Sequence, residues 1–165
     1  MKLYFFLGAT GWWAKFILVI DQLKSFDEKI KTSGIIMAPG IEKEIFLRFP
    51  NYIKFFDVQY DLVKKFLNAR VKKSELTYYE NEYGNLWQYV YAERRYLAFA
   101  YNKKFENKFY THKELIKLII GKFKYFENVL NKTDAVILTP PASSWAYIMT
   151  AVALKMKKRI IVIDQ

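Results

Sequence analysis

The chain has 165 residues, of which 53% are apolar, and a formal net charge of +11. That length suits one domain with a real core, and that apolar content excludes a disordered polypeptide. The lack of cysteine excludes disulfides, thiolate metal sites and cysteine nucleophiles, and the lone histidine, His112, cannot build a multi-histidine metal site.

Taken in order, Lys2 to Leu7 reads as a buried strand and Gly8-Ala9-Thr10-Gly11 as a tight turn. Trp12 to Phe26 carries helical spacing through Trp13, Phe16, Ile17, Ile20 and Leu23. The opening apolar run is too short for a secretory signal, because Gly8 ends it and an amphipathic helix follows. Ser33 to Ala38 is the second expected strand, closed by Pro39-Gly40. A short helix is expected over Ile41 to Arg48, a third strand over Tyr52 to Val58 and a helix over Asp61 to Leu67. From Ala69 to Tyr83 the period fades, which suggests a loop. Asn85-Leu86-Trp87-Gln88 resembles a capping box opening a helix that runs to about Tyr101.

Thr111-His112-Lys113-Glu114 is a better capping box. The helix it opens, to Asn131, places Leu115, Ile119, Phe123, Phe126 and Leu130 on one stripe. Asp134 to Leu138 is a strand and Thr139 to Ser144 a loop. Trp145 to Met156 is a helix, and Ile160 to Ile163 the last strand. Strands that alternate with helices and are apolar on both faces imply a Rossmann-like α/β fold. It would have a parallel sheet of about five strands with helices on both faces.

Three places could carry chemistry. The loop Gly8 to Trp12 joins a strand to a helix, so Gly8, Thr10, Gly11 and Trp12 could meet an anion at free helix amides. The plain alternative is a tight turn. The loop Thr139 to Ser144 has the same setting. Thr139, Ser143 and Ser144 could bind a hydroxyl or anion there, although either serine would also serve as an N-cap. In parallel sheets such loops share the carboxyl edge, where ligands bind. The third place is the helix around Tyr91 to Tyr96. Glu93 and Arg94 flank its apolar face, where charges need partners or a ligand. Arg94 would clamp a phosphate or carboxylate, and Glu93 would act as its orienting group or as a base. His112 is accounted for by its capping box.

The positive charge suits phosphorylated or anionic partners. The lysines are scattered, however, with no basic block, so a nucleic-acid arm is not expected. No run approaches the ~20 apolar residues of a membrane span.

Three stretches resemble the amino-terminal half of GT-B type glycosyltransferases that build capsule and surface polysaccharides. They are FLGATGWWAKFILVIDQLK, ENEYGNLWQYVYAERRY and TDAVILTPPASSWAYIMTAVALKMKKRIIVID. The resemblance spans most of the chain, in islands of low specificity. It implies one Rossmann-like domain over residues 1–165, the first half of a longer two-domain enzyme. This half would face the acceptor, while the donor-binding half lies in another domain or subunit. It also implies a nucleotide-sugar and a glycan or lipid-linked acceptor as substrates, and cytoplasmic work with peripheral contact at the membrane. Gly8 to Trp12 and Thr139 to Ser144 would line the acceptor side, with Glu93 and Arg94 near the cleft. No metal motif such as Asp-x-Asp occurs, and no cofactor is expected.

Two other readings stay open. The spacing Gly8-x-x-Gly11-x-x-Ala14 is close to the glycine fingerprint of NAD(P)-binding oxidoreductases. Against it, Trp12 and Trp13 crowd the pyrophosphate position, and no acidic residue ends the second strand. The one Tyr-x-x-x-Lys match, Tyr60 to Lys64, lies early in the chain. The other reading is a non-enzymatic module for anionic lipid or nucleic acid.

Overall fold

The computed structural model describes residues 1–7, 12–37, 48, 56–93, 110–141 and 143–163, with the backbone alone for Trp12, Trp13, Ala14 and Tyr60. The elements run β1 (Lys2–Leu7), α1 (Trp12–Phe26), β2 (Lys31–Ile36), β3 (Phe56–Val58), α2 (Gln59–Asn68) and α3 (Lys73–Tyr83). A short helical stretch at 87–93, α4, comes next. Then follow α5 (His112–Asn131), β4 (Ala135–Leu138), α6 (Ser144–Lys155) and β5 (Arg159–Val162).

The five strands form one all-parallel sheet in the order β3-β2-β1-β4-β5. This is the expected Rossmann-like architecture. Strand periodicity sorts the core into two halves. On one face Tyr4, Phe6, Ile35, Val136 and Leu138 pack with side chains of α2, α3, α5 and α6. On the other, Leu3, Phe5, Leu7, Ile36, Phe56 and Ile137 pack with Phe16, Ile17 and Ile20 of α1. The helices change face where the strand order reverses, as right-handed crossovers require.

That reversal lies between β1 and β4. The two strands pair Leu3 with Ala135, Tyr4 with Val136 and Phe5 with Ile137. Asp134 Oδ2 also accepts from the Lys2 amide at 2.7 Å, pinning the amino ends together. The carboxyl ends of β1 and β4 therefore sit side by side, and a crevice opens there in open α/β sheets.

The chain-order reading needs four corrections. β2 begins and ends two residues earlier than expected, at Lys31 and Ile36. Residues 73–83 form α3 instead of a loop: Glu75 reaches back to the Lys72 amide at 2.9 Å, and Tyr79 is buried. Asn85 opens α4 by accepting from the Trp87 amide at 2.9 Å, which is an Asx turn. β5 runs from Arg159 to Val162, one residue earlier at each end than the expected Ile160 to Ile163, and it is an edge strand with Ile161 and Val162 exposed. The expected helix at 41–48 lies outside the described residues, apart from helical Arg48. So does the expected strand at 52–58 before its described part, Phe56–Val58.

Candidate functional site

α4, α5 and α6 meet at a buried polar cluster. On α4 the enclosed stripe is Leu86, Tyr89, Val90 and Glu93. Glu93 thus lies two turns past Leu86, within the apolar stripe rather than beside it. On α5 the stripe is Leu115, Leu118, Ile119, Lys122, Phe123 and Phe126. Lys122 likewise lies two turns past Leu115. Each helix carries one charge inward, and the two charges are opposite.

Glu93, Lys122 and Ser144 are each 0% exposed. Glu93 Oε2 accepts from the Lys122 ammonium and from the Ser144 hydroxyl, and Lys122 Nζ also donates to Ser144 Oγ at 2.9 Å. The triangle is closed on one side by the Trp145 ring, whose centroid is 4.6 Å from Lys122 Nζ. Phe66 stacks on the same indole at 5.9 Å. The other carboxylate oxygen, Glu93 Oε1, is buried and has no hydrogen-bond partner among the described residues. Burial pulls the Lys122 ammonium down from the ordinary lysine value to about 8, and the attraction of Glu93 offsets only part of that.

The setting of Ser144 follows from its place in the chain. β4 ends at Leu138, and Thr139 and Pro141 are half-buried in the turn that follows. Ser143 is the N-cap of α6, its Oγ accepting from the Ala146 amide at 3.3 Å. Ser144 opens the helix and carries its hydroxyl to Glu93. The carboxylate therefore occupies the positive end of α6, where a phosphate would otherwise be attracted.

The sequence candidates divide accordingly. Ser144 and Glu93 are brought together. Ser143 caps its own helix, and Thr139 lies at the carboxyl edge of β4. Ser144 is engaged with Glu93 and Lys122, while Ser143 Oγ accepts from the Ala146 amide of its own helix. Glu93 is enclosed and serves as the counter-ion of Lys122. The backbone of Trp12 begins α1 next to the end of β1. Gly8, Thr10, Gly11 and Arg94 lie outside the described residues. Lys122 was not singled out from sequence, although a lysine seven residues after Leu115 on an apolar stripe was the signal for it.

Two further polar groups anchor α5, one to a neighbouring helix and one to the sheet. Tyr79 and Tyr83 of α3 each donate to Glu127 of α5 at 2.8 Å. Tyr125 donates to Asp57 at 2.6 Å and lies 2.9 Å from the Tyr4 hydroxyl. No cluster of His, Cys, Asp or Glu suited to a metal occurs among the described residues, and no described helix is long and apolar enough to cross a membrane.

Comparison with protein-family models, with curated proteins and with solved structures finds no match.

Proposed function

We propose that this chain is the acceptor-side domain of a glycosyltransferase. It would help move a sugar from a nucleotide-sugar to a surface polysaccharide or lipid-linked acceptor. The observation that supports the reading is the parallel β1–β4 pairing, which brings the carboxyl ends of these two strands side by side, the edge where open α/β sheets bind ligands. The likeness of three stretches to GT-B amino-terminal halves supplies the choice of reaction. A partner domain or subunit supplies the donor site, and the work is done in the cytoplasm beside the membrane. The NAD(P) reading is not favoured: β2 closes on buried Ile36 and Met37, followed by Ala38-Pro39-Gly40, with no carboxylate for a ribose.

In this reading Arg94, next to the buried Glu93 in sequence, binds the acceptor's phosphate or carboxylate. A polyprenyl diphosphate sugar titrated into the full chain in detergent should quench the tryptophans beside the first turn, Trp12 and Trp13. Arg94→Ala should weaken that binding roughly ten- to a hundredfold, the worth of a charge-assisted hydrogen bond, with thermal stability unchanged. Energy transfer from these tryptophans to bound NADPH, with no response to the diphosphate sugar, would overturn the assignment.

A further inference from the structure

The outward face of α4 carries two large aromatic side chains with no core to serve. Trp87 is 57% exposed and Tyr91 is 72% exposed. They stand four residues apart, so they project from one side of the helix about 6 Å apart along its axis. That separation is close to the length of one sugar unit. Trp87 is also braced. The His112 imidazole, at the start of α5, stacks on it with centroids 4.8 Å apart and planes 24° from parallel. A ring held on one side and more than half exposed presents a rigid, oriented surface at low entropic cost.

The other exposed aromatics among the described residues, Phe26, Tyr78 and Tyr147, lack this arrangement. Phe26 stands at the end of α1 and Tyr147 on α6, neither with a stacked ring among the described residues. Tyr78 has its ring packed edge-on against Tyr79 at 5.0 Å.

We infer that Trp87 and Tyr91 form a stacking platform for an anionic glycan chain. Sugar rings would lie on the two aromatic faces, and exposed Lys113, next to His112, would meet the acidic groups. Three observations favour this occupant. The two exposed aromatics stand four residues apart on one helix, a spacing that suits consecutive sugar rings. The net charge of +11 complements an anionic polymer. The same helix carries Glu93 to Ser144, the first residue of α6 just after β4, so the platform stands on an element anchored near the carboxyl edge of the sheet. The inference rests on the acceptor-side reading for its choice of sugar over other planar ligands.

The test uses the full chain and a short oligogalacturonate, with a neutral cello-oligosaccharide and phosphatidylglycerol vesicles as alternatives. Calorimetry should show saturable binding of oligogalacturonate. Trp87→Ala and Tyr91→Ala should each weaken it roughly tenfold, the size of one aromatic contact. Trp87→Phe should keep most of the affinity, and Lys113→Ala should reduce binding of the acidic oligomer alone. Circular dichroism should match wild type throughout, since both aromatic side chains are exposed. No binding of oligogalacturonate at millimolar ligand would overturn the platform. So would binding that both aromatic substitutions leave intact, or capture of the vesicles in its place. The two readings fail separately: loss of the diphosphate-sugar response with oligogalacturonate binding retained would remove the transferase and leave the platform. The reverse pattern would remove the platform alone.

Discussion

A lysine ammonium taken out of water loses hydration that its partners return only in part. Lys122 shows the balance directly, because burial depresses its pKa to about 8 despite an adjacent carboxylate. Desolvation therefore outweighs the attraction of Glu93, as is common for enclosed ion pairs. Removing one partner strands the other. Lys122→Met or Glu93→Gln should each cost about 3–5 kcal/mol in urea unfolding at neutral pH. The double variant Glu93→Leu/Lys122→Met should lie close to wild type, since it removes both desolvation costs together. A near-neutral single Lys122→Met would show that the pair is not closed in solution.

The same lysine sets a pH dependence. Its folded pKa lies below the unfolded value of 10.5, so between about pH 8 and 10 the unfolded chain holds the proton that the folded chain has released. Stability from this group rises with pH across that window. Tyr4, Tyr79, Tyr83 and Tyr125 act oppositely. Burial raises each of them, so their contribution is lost as pH climbs above the ordinary tyrosine value of 10. Lys122→Met should flatten the rise and leave the alkaline fall in place. Sequence alone exposed two of the three members of this cluster, Glu93 and Ser144. Glu93 stood out as a charge at an apolar face, while Lys122 was hidden among the many lysines of a strongly basic chain.

At the scale of elements, α5 was legible from end to end because several signals agree. Thr111 and Glu114 close the capping box, with Glu114 Oε2 taking the Thr111 amide at 2.8 Å, and the buried stripe, interrupted only by Lys122, runs to Leu130. α3 was illegible for the opposite reason. Its surface is polar and its inward stripe is Leu76, Tyr79 and Tyr83, whose phenols look like surface groups until Glu127 is placed beside them. The contact between α5 and α2 shows how local propensity yields to packing. Gly121 is buried in the middle of α5, where a helix ordinarily prefers alanine by about 1 kcal/mol. A Cβ there would overlap the Phe66 ring of α2. Gly121→Ala should therefore destabilise the protein by about 1–2 kcal/mol, because overpacking outweighs the gain in propensity. A rise in the thermal midpoint would mean that Phe66 moves aside freely.

At the scale of the molecule, the parallel sheet was readable from alternating elements with doubly apolar strands. The strand order was not, since it is set by which crossovers pack and leaves no local mark on the residues. The order makes β1 and β4 neighbours, where the proposed crevice lies, and among the described strands it leaves β3 and β5 at the edges. β5 has the composition of a buried strand, yet it lies outermost, with Ile161 46% and Val162 50% exposed. An open apolar edge invites pairing with another copy. The charge of +11 opposes it by mutual repulsion, which salt screens. Light scattering from the wild-type chain should therefore grow as salt rises from about 0.05 M to about 0.5 M, where the Debye length falls to a few ångströms. Ile161→Lys should stay monodisperse over that range and alter folding stability by no more than about 0.5 kcal/mol, as expected at an exposed position. Equal salt response in the two proteins would place the association on some surface other than this strand.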